Sequence, residues 1–311
     1  MAGSGTLLRH AAAFALALSL GIAGCASLPP APEHPPSDEA LVLTRKADGP
    51  LIAFVLGGGG ARGFAHAGVL KVLDDAGIRP DLVVGTSAGS LVGALYAGGI
   101  RNDELLETAL AVQREELIDF VFPHRGFIEG NRLQTYIDKA LEGRLIEQLD
   151  IPFVAVATEL AGGRLVAFTR GDAGMAVRAS CSVPVVFQPT PIRGIEYVDG
   201  GLVSPVPVKV ARASGADLVI AVDVSRRPDE HKELGSTAAM LNHAFVVMEH
   251  ALAQEESKLA DVVIRPNLAE VRVTDLAARG QAIAAGEEAA RAALPQIRSL
   301  IAARSGANRG R

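Results

Sequence analysis

The sequence DLVVGTSAGSLVGALYA, at residues 81–97, joins a short β-branched run, a glycine-rich turn and a small, apolar helical pattern. The turn carries Ser87 in a G-x-S-x-G pattern. A strand, a sharp turn and a helix are the context in which this pattern holds a serine hydroxyl at a helix N-terminus. The free N–H groups and the helix dipole favour negative charge there. We therefore predict that Ser87 is a nucleophile; the alternative is a glycine turn that contains a serine by chance.

Strand and helix patterns alternate along most of the chain. The strand patterns lie at residues 51–56, 81–84, 151–158, 165–168, 195–198, 216–222 and 261–264. The helix patterns lie at residues 64–76, 87–97, 102–117, 131–141, 173–179, 236–259 and 281–303. This alternation predicts an α/β fold, with a mostly parallel sheet that helices cover on both faces.

Length and composition fit one sizeable domain and argue against nucleic-acid binding. The chain has 311 residues, and its formal net charge is −5. Aromatic residues make up 4% of the sequence and Trp is absent, so stacking on bases has few candidates. A chain without a basic patch lacks the electrostatic footprint of a nucleic-acid-binding protein.

The N-terminus has the pattern of an export signal. Arg9 precedes an apolar run at residues 11–20, and small residues follow that run. The run is shorter than a comfortable transmembrane span. Ile22-Ala23-Gly24-Cys25 resembles a bacterial lipobox, which predicts a lipoprotein signal peptide at residues 1–24 and lipidation of Cys25. The alternative is an ordinary signal peptide followed by a chance cysteine.

A proline-rich segment at residues 25–48 is predicted to be an extended tether between the anchor and the domain. Several acyl chains on one cysteine would hold the protein stably on a membrane. Ala26 follows the cysteine where an inner-membrane lipoprotein would have Asp, so we expect an outer-membrane location in the bacterial cell envelope. The domain is predicted at residues 49–305, and residues 306–311 are predicted to be a tail.

The second cysteine, Cys181, has no partner for an internal disulfide if Cys25 carries lipid. Its small and apolar neighbours indicate a packed residue rather than a nucleophile. No cysteine and histidine spacing is typical of a metal site, so we expect neither a metal nor a cofactor.

A run of four glycines follows the first strand and precedes a helix, at residues 57–60. Glycines allow a backbone to approach closely and to aim several N–H groups at one negative oxygen. A phosphate or dinucleotide site is the alternative. It is disfavoured because the chain lacks Gly-Lys-Ser/Thr, and lacks a G-x-G-x-x-G pattern with the matching acidic residue.

Asp199 begins an Asp-Gly-Gly turn directly after the strand pattern at residues 195–198. A carboxylate at a strand end can reach a neighbouring strand end and serve as a base. The alternative is an ordinary Asp-Gly turn with a solvated side chain.

Three blocks in this order resemble those of the patatin-like phospholipases: Gly58–Gly63, Gly85–Gly89 and Asp199–Gly201. Three further segments are similar to bacterial members, at residues 157–160, 179–184 and 203–207. The resemblance spans about residues 51–222. One departure is Gly57, where many members of the family have Asp.

The resemblance implies a three-layer α/β/α fold and a catalytic pair, with Ser87 as nucleophile and Asp199 as base. Backbone N–H groups of three glycines would form the oxyanion hole: Gly58, Gly59 and Gly60. Arg62 would hold that loop or contact a phosphate. No metal is implied.

The implied activity is hydrolysis of a lipid acyl ester through an acyl-enzyme, as in a phospholipase A or a lysophospholipase. The substrate would be a membrane lipid or another acyl ester. An acyltransferase or thioesterase that uses the same two residues is one alternative. A non-catalytic lipid-binding protein of the envelope is another.

A Ser–Asp–His triad is the competing mechanism, because His231, His243 and His250 follow Asp199 in the order found in α/β-hydrolases. None of the three lies in a recognisable local pattern. His66 is expected to be a packed residue beside the glycine loop.

Phe120, Phe122 and Phe127 cluster in a stretch punctuated by proline and glycine. We expect them to pack in the core beneath a loop. The alternative is an acyl-chain entrance or a contact with the membrane.

Overall fold

The computed structural model describes residues 33–46, 48–122, 125–230 and 234–308, without the side chains of residues 306–308. The described residues from His34 onward form one compact unit. The predicted signal peptide and Cys25 lie outside the described residues. In the described part of the chain, no helix is long and apolar enough to cross a membrane.

The described residues form ten strands. These are β1 (Ile52–Leu56), β2 (Leu82–Thr86), β3 (Gly126–Ile128), β4 (Phe153–Glu159), β5 (Leu165–Phe168), β6 (Val185–Phe187), β7 (Thr190–Ile192), β8 (Ile195–Asp199), β9 (Leu218–Val222) and β10 (Val262–Ile264). Eight of them form one sheet in the order β10-β9-β1-β2-β4-β8-β7, with β5 also paired to β4. The first five strands of that order are parallel. Strands β5, β7 and β8 are antiparallel.

Helices cover both faces of the sheet. They are α1 (Phe64–Asp75), α2 (Ala88–Ala97), α3 (Asn102–Ala111), α4 (Arg114–Leu117), α5 (Asn131–Ala140), α6 (Ala173–Ser180), α7 (Val208–Ala213), α8 (Thr237–Ser257) and α9 (Arg279–Asn308). Alternate residues of β1 point to opposite faces, as the pleat requires. Phe54 and Leu56 join the core that contains α1, α2 and α9, whereas Ala53 and Val55 join the core that contains α7. The predicted α/β fold with a mostly parallel sheet is confirmed.

The prediction of one helix over residues 102–117 was wrong, because the chain forms α3 and α4 with a break between them. The Gln113 backbone N–H donates to Glu116 Oε2 at 2.8 Å, and the Gln113 side chain donates to the Ala111 carbonyl at 2.6 Å. These bonds start a new helix at Arg114 instead of continuing the old one. Four short elements were not predicted: β3, β6, β7 and α7. Helix α9 continues to Asn308, so the predicted tail begins as helix.

The second half of the proline-rich segment lies against the domain, which differs from an extended tether. Ser37 forms a backbone bridge with Arg170, and the Leu43 backbone N–H donates to the Ser214 carbonyl at 2.9 Å. Asp38 pairs with Arg164 at 2.9 Å. The compact unit therefore begins at His34, well before the predicted boundary at residue 49, because main-chain hydrogen bonds hold this segment.

Candidate active site

Ser87 forms a strained turn between β2 and α2. Its φ of 53° and ψ of −126° lie where a residue with a side chain is uncommon. A Cβ on Gly89 would lie 2.0 Å from the Leu56 carbonyl oxygen, and one on Gly85 would lie 2.5 Å from Ser90 Cα. The two glycines therefore let the helix pack onto the strands closely enough to impose this turn. The predicted strand, turn and helix are confirmed.

Hydrogen bonds fix both backbone groups of Ser87. Its N–H donates to Ser180 Oγ at 2.9 Å, and the Ser180 hydroxyl donates to the Val156 carbonyl at 2.5 Å. The Ser90 hydroxyl donates to the Ser87 carbonyl at 2.7 Å. Ser180 is a site residue that the sequence analysis did not single out. The sequence could have pointed to it, because Ser180 lies in the segment at residues 179–184 that is similar to bacterial patatin-like proteins.

The strand register places Asp199 at the same edge of the sheet as Ser87. In the antiparallel pair β4–β8, Asp199 stands opposite Ala157. In the parallel pair β2–β4, Thr86 stands opposite Val156. Ser87 and Asp199 therefore emerge on either side of β4, at the carboxyl-terminal edge of the parallel strands.

The Asp199 carboxylate is buried and only partly hydrogen-bonded. Oδ1 accepts the Gly201 N–H at 2.7 Å, whereas Oδ2 has no hydrogen-bond partner of normal geometry in the described part of the chain. Burial raises the pKa of Asp199 to about 6, although the Ser87 hydroxyl and the Gly201 N–H lower it. A carboxyl group with this pKa is ionised at neutral pH, and its unpartnered oxygen can accept a proton.

The glycine loop lies against Ser87, since a Cβ on Gly58 would be 3.3 Å from Ser87 Cβ. The Gly58 N–H donates to the Pro205 carbonyl at 3.0 Å, which differs from its expected role as an oxyanion donor. The next two N–H groups, of Gly59 and Gly60, make no hydrogen bond to the residues that the structure describes. These two groups are therefore available to an added negative oxygen.

Backbone geometry requires glycine at position 60. Gly60 has φ +57°, and a Cβ there would lie 2.5 Å from the Val273 carbonyl oxygen. A third N–H group belongs to Ala88, the first residue of α2. It also has no acceptor among the described residues. The N–H that follows the nucleophile is a common oxyanion donor at such turns, and the sequence analysis did not name it.

Arg62 is 1% exposed and holds the loops behind the glycine run. Its guanidinium donates to the carbonyls of Val271, Ser225 and Leu268 at 3.1, 2.9 and 2.6 Å, and to Glu230 Oε2 at 2.6 Å. Of the two expected roles, this geometry favours loop support. A phosphate would have to displace a buried carboxylate or a carbonyl.

None of the described histidines hydrogen-bonds to Ser87 or Asp199. His66 is buried and its Nε2 lies 2.8 Å from the Gly57 carbonyl oxygen. Burial lowers its pKa to about 4, so it is neutral and packs as expected. His250 Nε2 contacts the Gln254 side chain at 2.9 Å. His231 lies outside the described residues, and those described give the triad no support.

Cys181 is buried beside the site, and its Sγ lies 3.8 Å from Ser90 Oγ. Burial raises the pKa of its thiol, which disfavours the reactive thiolate. Within the described residues, no group of three or more His, Cys, Asp or Glu side chains is placed to hold a metal ion.

The expectation that three phenylalanines pack in the core was wrong. Phe122 is 93% exposed, and Phe120 and Phe127 are exposed as well. The small sheet formed by β3 and β6 carries Phe127 at the surface, and nothing in the described part of the chain covers this cluster. An acyl-chain entrance or a membrane contact at these residues stays a prediction.

A buried carboxylate from α8 supports the loop that connects the parts of the site. Both Glu256 oxygens accept from Ser204 Oγ, at 2.7 and 2.9 Å. The Ser204 carbonyl accepts the Thr86 hydroxyl at 2.8 Å, directly before Ser87. The next carbonyl, of Pro205, accepts the Gly58 N–H. Glu256 thus holds the Ser204–Pro205 segment, which is hydrogen-bonded to both the nucleophile turn and the glycine loop.

Replacing Glu256 with alanine is expected to lower the free energy of unfolding by about 2–4 kcal/mol, since it leaves a cavity and an unpaired buried hydroxyl. Glu256→Gln keeps an acceptor and should cost about 1 kcal/mol or less. Urea unfolding measures both. The control is the exposed neighbour Glu255, which forms a surface ion pair with Lys258, and Glu255→Ala should be near neutral. Equal stability of Glu256→Ala and Glu255→Ala would contradict this supporting role of Glu256.

Comparison with known proteins adds a family match. The model of the patatin-like phospholipase family matches residues 54–212. An uncharacterized NTE family protein of Mycobacterium tuberculosis is 34% identical over 209 residues, covering 65% of this chain and 58% of that protein. Lysophospholipase NTE1 of Mycosarcoma maydis is 38% identical over 205 residues, covering 63% of this chain and 11% of that protein.

The solved structure of VipD from Legionella pneumophila has a TM-score of 0.57 and 15% sequence identity to this chain, covering 84% of this chain and 70% of VipD. At that identity the similarity shows the fold alone, and it agrees with the three-layer arrangement. The matched region spans 58% of the mycobacterial relative's length, little more than half.

Proposed function

Because the chain belongs to the patatin-like phospholipase family, we propose that it is a serine hydrolase of lipid acyl esters, with Ser87 as nucleophile and Asp199 as general base. One arrangement carries the proposal. A serine on a strained turn stands beside a buried carboxylate. Among the described residues, one oxygen of that carboxylate and two adjacent glycine N–H groups have no hydrogen-bond partner of normal geometry.

The reaction proceeds in two halves. Asp199 accepts the proton of Ser87 as Oγ attacks the ester carbonyl carbon, and the carbonyl oxygen becomes an oxyanion. The N–H groups of Gly59, Gly60 and Ala88 donate to that oxyanion. The alcohol leaves with the proton from Asp199, and the acyl group stays on Ser87. Water then attacks the acyl group while Asp199 takes its proton. As the fatty acid leaves, Asp199 gives that proton to the departing Ser87 Oγ, which restores the hydroxyl and the free carboxylate.

Two catalytic side chains suffice in this geometry because the oxyanion is stabilised strongly. A single oxyanion donor contributes about 3–4 kcal/mol to lowering the barrier. The N-terminus of α2 adds the favourable end of its dipole at the same place. Gly58 supports this hole by holding the loop to Pro205, rather than as a donor.

The substrate class follows from the family and from the name of the fungal relative, a lysophospholipase. We propose a phospholipid or a lysophospholipid as the ester. We also propose that the protein is lipid-anchored through Cys25, after removal of residues 1–24, in the outer membrane of a bacterial envelope. The sequence pattern around the cysteine supports this location.

The test is fatty-acid release by the purified full chain from phosphatidylethanolamine, from its lyso form, and from soluble p-nitrophenyl esters of short and long chain. The proposal expects free fatty acid from the lipid and nitrophenol from the esters. Transfer of the acyl group to an added alcohol, with no free fatty acid, would replace the hydrolase by an acyltransferase. Absence of turnover on every ester would replace it by a non-catalytic lipid-binding protein.

The pH dependence follows from the burial of Asp199. Its protonated form cannot accept the Ser87 proton, so kcat/KM is expected to rise with pH, to be half-maximal at about pH 6, and then to level off. A neutral p-nitrophenyl ester is the substrate of choice for this profile.

Glu249 is the neighbouring group whose titration needs separating from that of Asp199, because burial raises its pKa to about 7. The Glu249→Gln variant should keep the midpoint near 6. A titration that disappears in Glu249→Gln, or a flat profile through pH 6 in the wild type, would contradict Asp199 as the base.

A further inference from the structure

Helix α8 exposes an unusual amount of apolar surface. The stretch from Thr237 to Met248 contains no Asp, Glu, Lys or Arg. In this stretch only Val246 is buried. Met240 and Met248 are 61% and 63% exposed. A helix this apolar is normally covered by another element, yet the described part of the domain leaves most of it open.

The exposed apolar residues lie on one side of the helix. We define the α8 apolar face by these residues: Met240, Leu241, Ala244, Phe245, Val247, Met248, Ala251 and Leu252. At 3.6 residues per turn they cover an arc of about 160°. Val246, Ala253 and Glu256 lie outside that arc and are buried against the domain. The apolar face therefore points away from the protein.

The same helix borders the candidate active site. Glu249 Oε1 lies 3.5 Å from where a Cβ on Gly201 would be, and the Gly201 N–H is bonded to Asp199. Three residues further along the chain from Asp199, the Gly200–Leu202 turn ends at Leu202, which is 40% exposed. An apolar surface thus adjoins the turn that carries the base.

The width and the composition of the α8 apolar face indicate what kind of partner would cover it. A contact between two helices covers a narrow stripe, so pairing with the same helix of a second copy would leave part of a 160° arc in water. A lipid phase surrounds an inserted helix on every exposed side. The face contains no charged residue, which suits the acyl-chain boundary of a bilayer.

We propose that the α8 apolar face inserts into the surface layer of a lipid bilayer and holds the Ser87–Asp199 site against the membrane. The inference rests on the proposed function, because it names the physical form of the substrate: lipid packed in a bilayer rather than dispersed ester. Docking is hydrophobic, so it should depend little on lipid charge or on salt.

A single tryptophan tests insertion directly, since the chain has none. Phe245→Trp is made in the full chain together with Ser87→Ala, so that vesicles stay intact. Vesicles of phosphatidylethanolamine and phosphatidylglycerol should shift its emission to shorter wavelength, and brominated acyl chains should quench it. Met248→Trp is the second reporter, in case the first variant does not fold.

The matched control is Leu110→Trp in the same background. Leu110 is 50% exposed on α3, which packs with α1 and α9 in the opposite helix layer. Both variants carry the same N-terminus, so any anchoring through it acts equally on both. The control emission should not change with vesicles.

Three results would overturn the inference. The first is a Phe245→Trp emission that vesicles do not change. The second is a short-wavelength emission without vesicles that depends on protein concentration, which indicates a second copy on the face. The third is binding that salt abolishes, which indicates adsorption by charge.

Activity separates this inference from the proposed function. In protein that keeps Ser87, Met248→Gln should lower the rate of vesicle-lipid hydrolysis about tenfold. The rate of hydrolysis of a soluble short-chain ester should stay within about twofold of wild type. If the face inserts but no ester is hydrolysed, the proposed hydrolase function is wrong and the proposed membrane surface stands. If vesicle lipid is hydrolysed without insertion, the proposed membrane surface is wrong and the hydrolase function stands.

Discussion

Replacing Ser87 with alanine is expected to lower kcat for ester hydrolysis by about 10³-fold or more, since it removes the oxygen that forms the acyl-enzyme. The residual rate would come from binding and from the oxyanion donors. The fold should survive, because the contacts that hold the turn involve the Ser87 backbone rather than its hydroxyl. Steady-state kinetics on a p-nitrophenyl ester measure the effect.

Cys181→Ala is the matched control for Ser87→Ala. The thiol is the other candidate nucleophile beside the turn, but burial raises its pKa and its Sγ contacts Ser90. We expect this variant to stay within about threefold of the wild-type rate, as a small change in packing would allow. Activity that survives in Ser87→Ala and disappears in Cys181→Ala would contradict the proposed chemistry.

Replacing Asp199 with asparagine is expected to cost a similar factor, about 10³ or more in kcat. Asparagine keeps the size of the side chain and can still accept the Gly201 N–H through its oxygen. It cannot accept the proton of Ser87. The effect should therefore fall on kcat more than on KM, and circular dichroism should show an unchanged fold.

Glu249→Gln is the matched control for Asp199→Asn, because Glu249 is a nearby carboxylic acid with a raised pKa. It should retain most activity on a soluble ester. If Glu249→Gln abolished turnover and Asp199→Asn did not, the assignment of the base would be wrong.

The local parts of the site were predictable from sequence because they depend on neighbours along the chain. The turn at Ser87 needs small residues at positions 85 and 89, and both are visible in the G-x-S-x-G pattern. The buried strand before it and the helix after it show their own patterns. Asp199 was harder, since an Asp-Gly turn is common. The order of the three blocks made the resemblance to patatin-like proteins specific.

The helix break at Gln113 is local, but the other departures depend on tertiary contacts that no local pattern carries. The N–H of Gly58 is bonded to Pro205, a residue that reaches the loop only in the folded chain. Ser180 supports Ser87 from another helix. Phe122 is apolar, and a hydrophobicity pattern cannot reveal that the short strands β3 and β6 leave it uncovered. Main-chain pairing between Ser37 and Arg170 is equally invisible in a proline-rich segment.

Covalent labelling of Ser87 tests the central claim most directly. The full chain is treated with a fluorophosphonate that mimics the tetrahedral intermediate, and the modified peptide is identified by mass spectrometry. The proposed mechanism predicts one adduct, on Ser87, that forms slowly or not at all in Asp199→Asn. An adduct on another residue, or an unlabelled Ser87 in protein that hydrolyses esters, would contradict it.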